Sequence, residues 1–129
     1  MIVGGYALAF HGAPRFTGDL DIFVRPSLDN AERLISAISA CGFPVTAFRP
    51  ADIVGGKRII QMGVEPVQLH LVSDVSGLGW DEVWTTKVAA TVAGQEVHFI
   101  GRSALLKNKR ASGRLQDLAD VEALGGSDS

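Results

Sequence analysis

Asp19 and Asp21 stand two residues apart in the segment Asp19-Leu-Asp-Ile-Phe-Val24, the spacing of one face of a strand. Strand side chains alternate, so the two carboxylates project together, about 6.6 Å apart along the backbone, while Leu20, Ile22 and Val24 point the other way. Two hard oxygen ligands of this kind suit Mg²⁺, which takes one or two carboxylates and fills its remaining positions with water and substrate phosphates. Upstream, Gly4-Gly5 would let a helix N-terminus bring its unbonded amides close to phosphate. Each piece also has an ordinary reading. An Asp-x-Asp occurs on the solvated face of edge strands, and Gly-Gly is a common turn.

These groups need elements to hold them. Gly5 to Phe10 is apolar without alternation and reads as one or two helical turns, and 12–18, with two glycines and a proline, reads as a loop. Asp19 to Val24 is the strand. Ser27 is a good N-cap, and Leu28, Ala31, Leu34, Ile35, Ile38 and Cys41 recur at helical spacing, which predicts an amphipathic helix over 28–41 ended by Gly42. Strands are expected at 43–48, 57–62 and 66–73, a loop at 74–79 and a helical turn from Asp81 to Thr85. Lys87–Val92 and Gln95–Ile100 flank Ala93-Gly94 as a hairpin. Ser103 caps a helix to about Ala111, and Gly113 separates it from a last helix at 114–124. The order predicts an α+β fold, a mixed β-sheet flanked by helices with a C-terminal helical pair, and lacks Rossmann alternation. Residues 1–124 form a single domain, with 125–129 as a flexible tail.

At 129 residues the chain has the length of one domain, and its 47% apolar content is enough for a core without disulfides or metals. Twelve Lys+Arg against fourteen Asp+Glu give a net charge of -2, which lacks the basic excess of a dedicated duplex-DNA binder. Cys41 is the single cysteine, so no internal disulfide forms, and no Cys/His cluster has the spacing of a structural zinc site. A reducing, cytoplasmic setting fits. No apolar run approaches the roughly 20 residues of a membrane span, so no membrane association is expected, and the first residues lack the basic and apolar regions of a signal peptide. Ile2-Val3 followed at once by Gly4-Gly5 reads as the end of a strand or loop with nothing before it, which suggests a truncated start.

The charges are unevenly placed. Arg102, Lys107, Lys109, Arg110 and Arg114 fall between Gly101 and Arg114 without an acid, and 115–129 holds four acids and no base. One reading is a helix with cations in its last turn followed by a helix with anions in its first, both favoured by the macrodipole. The other is a basic patch for a polyanion such as nucleotide phosphates or RNA. Among the remaining candidates, His11 reads as a capping or packing residue and His98 as an exposed strand residue. Trp80 and Trp84 at i,i+4 have the spacing of a core pair and, alternatively, of a base-stacking pair. Arg114 and Asp117 suit an intrahelical ion pair, and Cys41 faces its helix's apolar stripe.

Taken together, Val-Gly-Gly-Tyr-Ala from Val3, His11-Gly12 and Arg15-Phe-Thr-Gly-Asp-Leu-Asp21 resemble the nucleotidyltransferase superfamily that includes DNA polymerase β, in which a helix opening with Gly-Gly or Gly-Ser precedes a strand carrying Asp-x-Asp. The pattern looks most like the small stand-alone nucleotidyltransferase-like proteins of bacteria and archaea, some of which are toxins of toxin–antitoxin pairs. Asn108-Lys-Arg-Ala-Ser-Gly-Arg114-Leu-Gln-Asp117-Leu-Ala-Asp120 is similar to their C-terminal ending, so the resemblance runs from residue 3 to about 124.

That resemblance implies a nucleotidyltransferase-like fold and a set of roles. Gly4 and Gly5 match the phosphate-proximal turn, Arg15 and Thr17 the loop bordering the nucleotide, and Asp19 and Asp21 the carboxylates for Mg²⁺ or Mn²⁺. Lys107, Lys109, Arg110 and Arg114 would border the cleft and meet phosphates or an RNA end. The implied activity is transfer of a nucleotidyl group from a nucleoside triphosphate to an RNA, protein or small-molecule hydroxyl. The third family carboxylate falls in Val67–Ser73, where this chain holds His70. A histidine there acts as a variant base, able to ligate Mn²⁺ or Zn²⁺, or marks a catalytically silent interaction or regulatory module; Asp74, of the same strand parity, is an alternative acid. A plain RNA-binding domain using the basic block is a third reading. The family's N-terminal helix and strand are missing, so an exposed apolar patch or a homodimer is expected, and an antitoxin partner is the other implied association.

Overall fold

The computed structural model describes residues 1–15, 17–43, 49–55, 59–64 and 67–125. Over these the chain runs β1 (Ile2–Val3), α1 (Gly4–Phe10), β2 (Asp19–Phe23), α2 (Leu28–Ala40), α3 (Pro50–Val54), β3 (Ile59–Val64), β4 (Val67–Val72), α4 (Trp80–Thr85), β5 (Val88–Val92), β6 (Gln95–Phe99), α5 (Arg102–Ser112) and α6 (Leu115–Ala123). The strands form one six-stranded sheet in the order β3-β4-β2-β1-β6-β5. β2 runs parallel to β4 and β1 parallel to β6, and the other neighbours are antiparallel. The fold is α+β, a mixed sheet with helices packed on it. No helix among the described residues is long and apolar enough to cross a membrane.

Two apolar clusters bury the helices. One joins Ala31 and Ile38 of α2 and Ile53 of α3 to Ile60, Met62 and Leu71 of the sheet. The other joins Ala7 and Leu8 of α1, Leu105 and Leu106 of α5 and Val121 of α6 to Phe23 and Phe99. Ser27 caps α2 by accepting a hydrogen bond from the Asn30 N–H at 3.3 Å. Gly113, at φ 70°, closes α5 in the left-handed conformation that favours glycine, and the chain turns directly into α6.

Several elements depart from the sequence reading. α3 was not anticipated; Pro50 opens it, and the Asp52 carboxylate accepts the Arg49 N–H at 2.8 Å. The N-cap of α5 is Gly101 and not Ser103; a Cβ at Gly101 would lie 2.5 Å from the Thr86 carbonyl oxygen, so this position has room for glycine alone. Cys41 ends α2 exposed to solvent instead of facing its apolar stripe. The strand expected at 43–48 falls outside the described residues apart from Phe43, which is not in a strand, and 126–129 of the expected tail lie outside them as well. Helix α1 keeps its inner face covered, with Ala7 and Leu8 buried, while Tyr6 and Phe10 are exposed.

The β5–β6 hairpin turns through Ala93 at φ 52° and Gly94 at φ 78°. Two positive φ values make a type I′ turn, which matches strand twist but strains an alanine, whose Cβ crowds the following carbonyl. Ala93→Gly is expected to stabilise the protein by about 1 kcal/mol, seen as a rise in Tm of about 3 °C by calorimetry. An unchanged or lowered Tm would contradict this turn.

Candidate functional site

β2 is not an edge strand. It lies between β1 and β4, with Val3 opposite Asp21 on one side and Gln68 and His70 level with Asp19 and Asp21 on the other. The paired carboxylates therefore rise from the middle of the sheet, half-buried, and their solvated-edge reading is excluded. They line an open cleft of about 740 Å³ that also takes in Gly4, Gly5, Arg15 and Thr17.

The glycines answer to these side chains. Gly4 sits at φ 68°, and a Cβ there would lie 2.2 Å from Asp21 Oδ2. At Gly5 a Cβ would come within 2.9 Å of Thr17. Any larger residue would displace the carboxylate or the threonine, so the tandem glycines permit backbone and site to touch. The Thr17 hydroxyl in turn bonds the backbone of Asp19, donating to its carbonyl at 3.2 Å, and fixes the loop where it enters β2.

His70 lies beside Asp21 in the parallel ladder. Its Nδ1 is 3.1 Å from Asp21 Oδ1, and its Nε2 is 3.0 Å from Gln68 Oε1. Burial raises the Asp21 pKa, the His70 charge lowers it and Asp19 raises it again, leaving it above the ordinary carboxylate value. Asp74, just past the end of β4, also lines the cleft. Among the described residues no group of three or more His, Cys, Asp or Glu side chains is gathered to hold a metal ion. The donors at hand for a cation are the Asp19 and Asp21 carboxylates, a set that suits a hard ion with phosphate and water completing its shell.

A second pair of acids has the opposite electrostatics. Asp120, 2% exposed, accepts from Arg15 Nε at 2.9 Å, Lys109 Nζ at 2.9 Å and Gln116 Nε2 at 3.0 Å. Asp117 accepts from Arg114 Nε at 2.8 Å and lies 3.4 Å from Lys109 Nζ. Burial pushes both carboxyls up, but these bonds and the Lys109 charge outweigh it and hold both below the usual range. Sequence reasoning missed this network apart from the Arg114–Asp117 pair. The signal was present, because Gln116 and Asp120 at i,i+4 and Asp117 and Asp120 at i,i+3 share one face of α6.

The basic block divides. Lys109 and Arg114 line the cleft, while Lys107 and Arg110 line a separate cavity of about 690 Å³ on the other side of α5, where Lys107 pairs with Glu82 at 2.9 Å. His11 Nε2 is 2.7 Å from the Ile100 carbonyl oxygen and ties α1 to the start of α5. Trp84, 41% exposed, is stacked on Trp80 at 5.7 Å, and Lys87 Nζ lies 3.9 Å from its ring centroid. His98 meets that ring edge-on.

The depressed pKa values of Asp117 and Asp120 set an acid limit. Their contribution to stability is complete above about pH 5 and is lost as pH falls through the lowered folded values. Asp120→Asn should cost about 3 kcal/mol by leaving Lys109 and Arg15 without their shared anion, lower Tm by about 10 °C at pH 7 and flatten the fall in stability below about pH 4. Thermal melts of both proteins across pH test this, and an equal acid response would contradict it.

No family model matches the chain, and no curated protein matches it.

Proposed function

We propose that this chain binds a nucleoside triphosphate with a divalent cation, Mg²⁺ or Mn²⁺, at Asp19 and Asp21, as the nucleotidyltransferase-like proteins it resembles would. The observation that carries the reading is the placement of two carboxylates in mid-sheet on an open cleft, with the Gly4 backbone pressed against one of them. Burial of Asp21 beside Asp19 disfavours its charge, and an added cation would relieve this. Such a cation would hold and polarise phosphate oxygens. The chain's own part is to fix the carboxylates and to border the cleft with Arg114, while Arg15 and Lys109 are held against Asp120. In transfer, an acceptor hydroxyl of an RNA, a protein or a small molecule attacks the α-phosphorus, pyrophosphate leaves, and the acceptor proton passes to a base, for which His70 is the nearest candidate.

A second reading, a nucleotide-binding module without catalysis, is favoured by the His70 contacts, since both ring nitrogens are engaged, one of them by Asp21 itself. Equilibrium binding of the four common nucleoside triphosphates with Mg²⁺ or Mn²⁺ tests the shared premise. Asp19→Asn and Asp21→Asn should each weaken binding at least about tenfold, and Asp21→Asn should leave Tm unchanged or raised because it removes a charge that burial disfavours. Unaltered binding would sink both readings. A labelled-nucleotide transfer assay separates them: label from the wild type that vanishes in Asp21→Asn supports transfer, and label only from His70→Asp supports the silent module.

A further inference from the structure

β5 ends the sheet. β6 pairs with one side of it, and among the described residues no segment pairs with the other. An open edge offers unpaired N–H and C=O groups to another strand, and proteins usually guard it with charges, proline, bulges or a covering element. Val88-Ala-Ala-Thr-Val92 contains no charge and no proline, and its register with β6 is unbroken from Val88↔Phe99 to Val92↔Gln95. The opposite edge, β3, also keeps an unbroken register with its neighbour but carries Gly63 at φ 94°, outside the extended region. β5 also leaves apolar surface in water, with Val88 37% and Val92 53% exposed.

The turn decides which backbone groups are open. In a two-residue type I′ hairpin the flanking residues, here Val92 and Gln95, exchange both backbone bonds. Pairing alternates along the strand, so Val92, Ala90 and Val88 bond inward to β6, and Ala89 and Thr91 turn their N–H and C=O outward. About a twofold axis at Ala90, an antiparallel second copy of the strand sets Ala89 against the other copy's Thr91 at two symmetric places, with about four backbone bonds in all. Val88 then faces the second copy's Val92, and Ala90 faces its own counterpart. Read backwards, the strand pairs valine with valine and small residues with small ones. This self-complementarity is what an isologous interface requires and what an unrelated peptide would lack.

We propose that the chain forms a twofold homodimer through the outer edge of β5, joining two sheets into one. The inference is independent of the cleft and its ligand. Sedimentation of the full chain from about 10 µM to 1 mM should show the mass rising from 13.6 kDa toward twice that value. Ala89 and Thr91 are exposed, so Ala89→Lys/Thr91→Lys should keep the wild-type melting temperature while placing like charges opposite each other at both pairs, and should weaken association at least about tenfold. Ala89→Glu/Thr91→Glu should behave alike, and an equimolar mixture of the two variants should regain the dimer. A wild type that stays monomeric over this range, a lysine variant that dimerises like the wild type, or a mixture that fails to associate would each overturn the proposal.

Discussion

The buried carboxylate of Asp120 is the junction on which the cleft depends. It accepts from Arg15 in the loop before β2, from Lys109 on α5 and from Gln116 on its own helix. Without it the loop that carries Thr17 into contact with Gly5 would lose the anchor that Arg15 gives it on α6. Buried ion pairs add little net stability compared with an apolar replacement of similar shape, because desolvation offsets most of the attraction. What this one supplies is position, since a bidentate guanidinium and an ammonium on a single carboxylate fix three segments in one relative arrangement.

Much of the local structure was legible because it rests on periodicity. Alternation marked Asp19–Phe23, helical spacing with Ser27 marked α2, and two strand-like runs on either side of Ala93-Gly94 marked the last hairpin. Helix α3 has five residues, too few for a period to show, and its one signal was Pro50. Ser103 has the better capping side chain, yet α5 starts from Gly101, where the Thr86 carbonyl admits no side chain. A contact between residues fifteen apart leaves no mark in a local pattern.

The same distinction governs the site. Asp19, Asp21 and His70 are adjacent because β2 and β4 run in parallel register, and the strand parity of each was readable in advance. The basic residues were grouped by charge, which ignores helical phase. Lys109 follows Leu105 at i+4 and Leu106 at i+3, both fully buried, so its side chain enters the core and meets Asp117 and Asp120. Lys107 and Arg110, three apart, lie on another face of the same helix and line the separate cavity.

Two pairs of aspartates within one domain thus have different requirements. Asp117 and Asp120 are answered by the chain's own cations and hydrogen-bond donors, and their pKa values fall. Asp19 and Asp21 share a strand face, His70 is bonded to Asp21 alone of the two, and Asp21 shifts the other way. Asp120 accepts from a guanidinium, an ammonium and an amide, whereas Asp21 faces one imidazole and the like charge of Asp19. Burial and the neighbouring Asp19 thus leave the Asp21 charge disfavoured, while the donors around Asp117 and Asp120 leave theirs favoured.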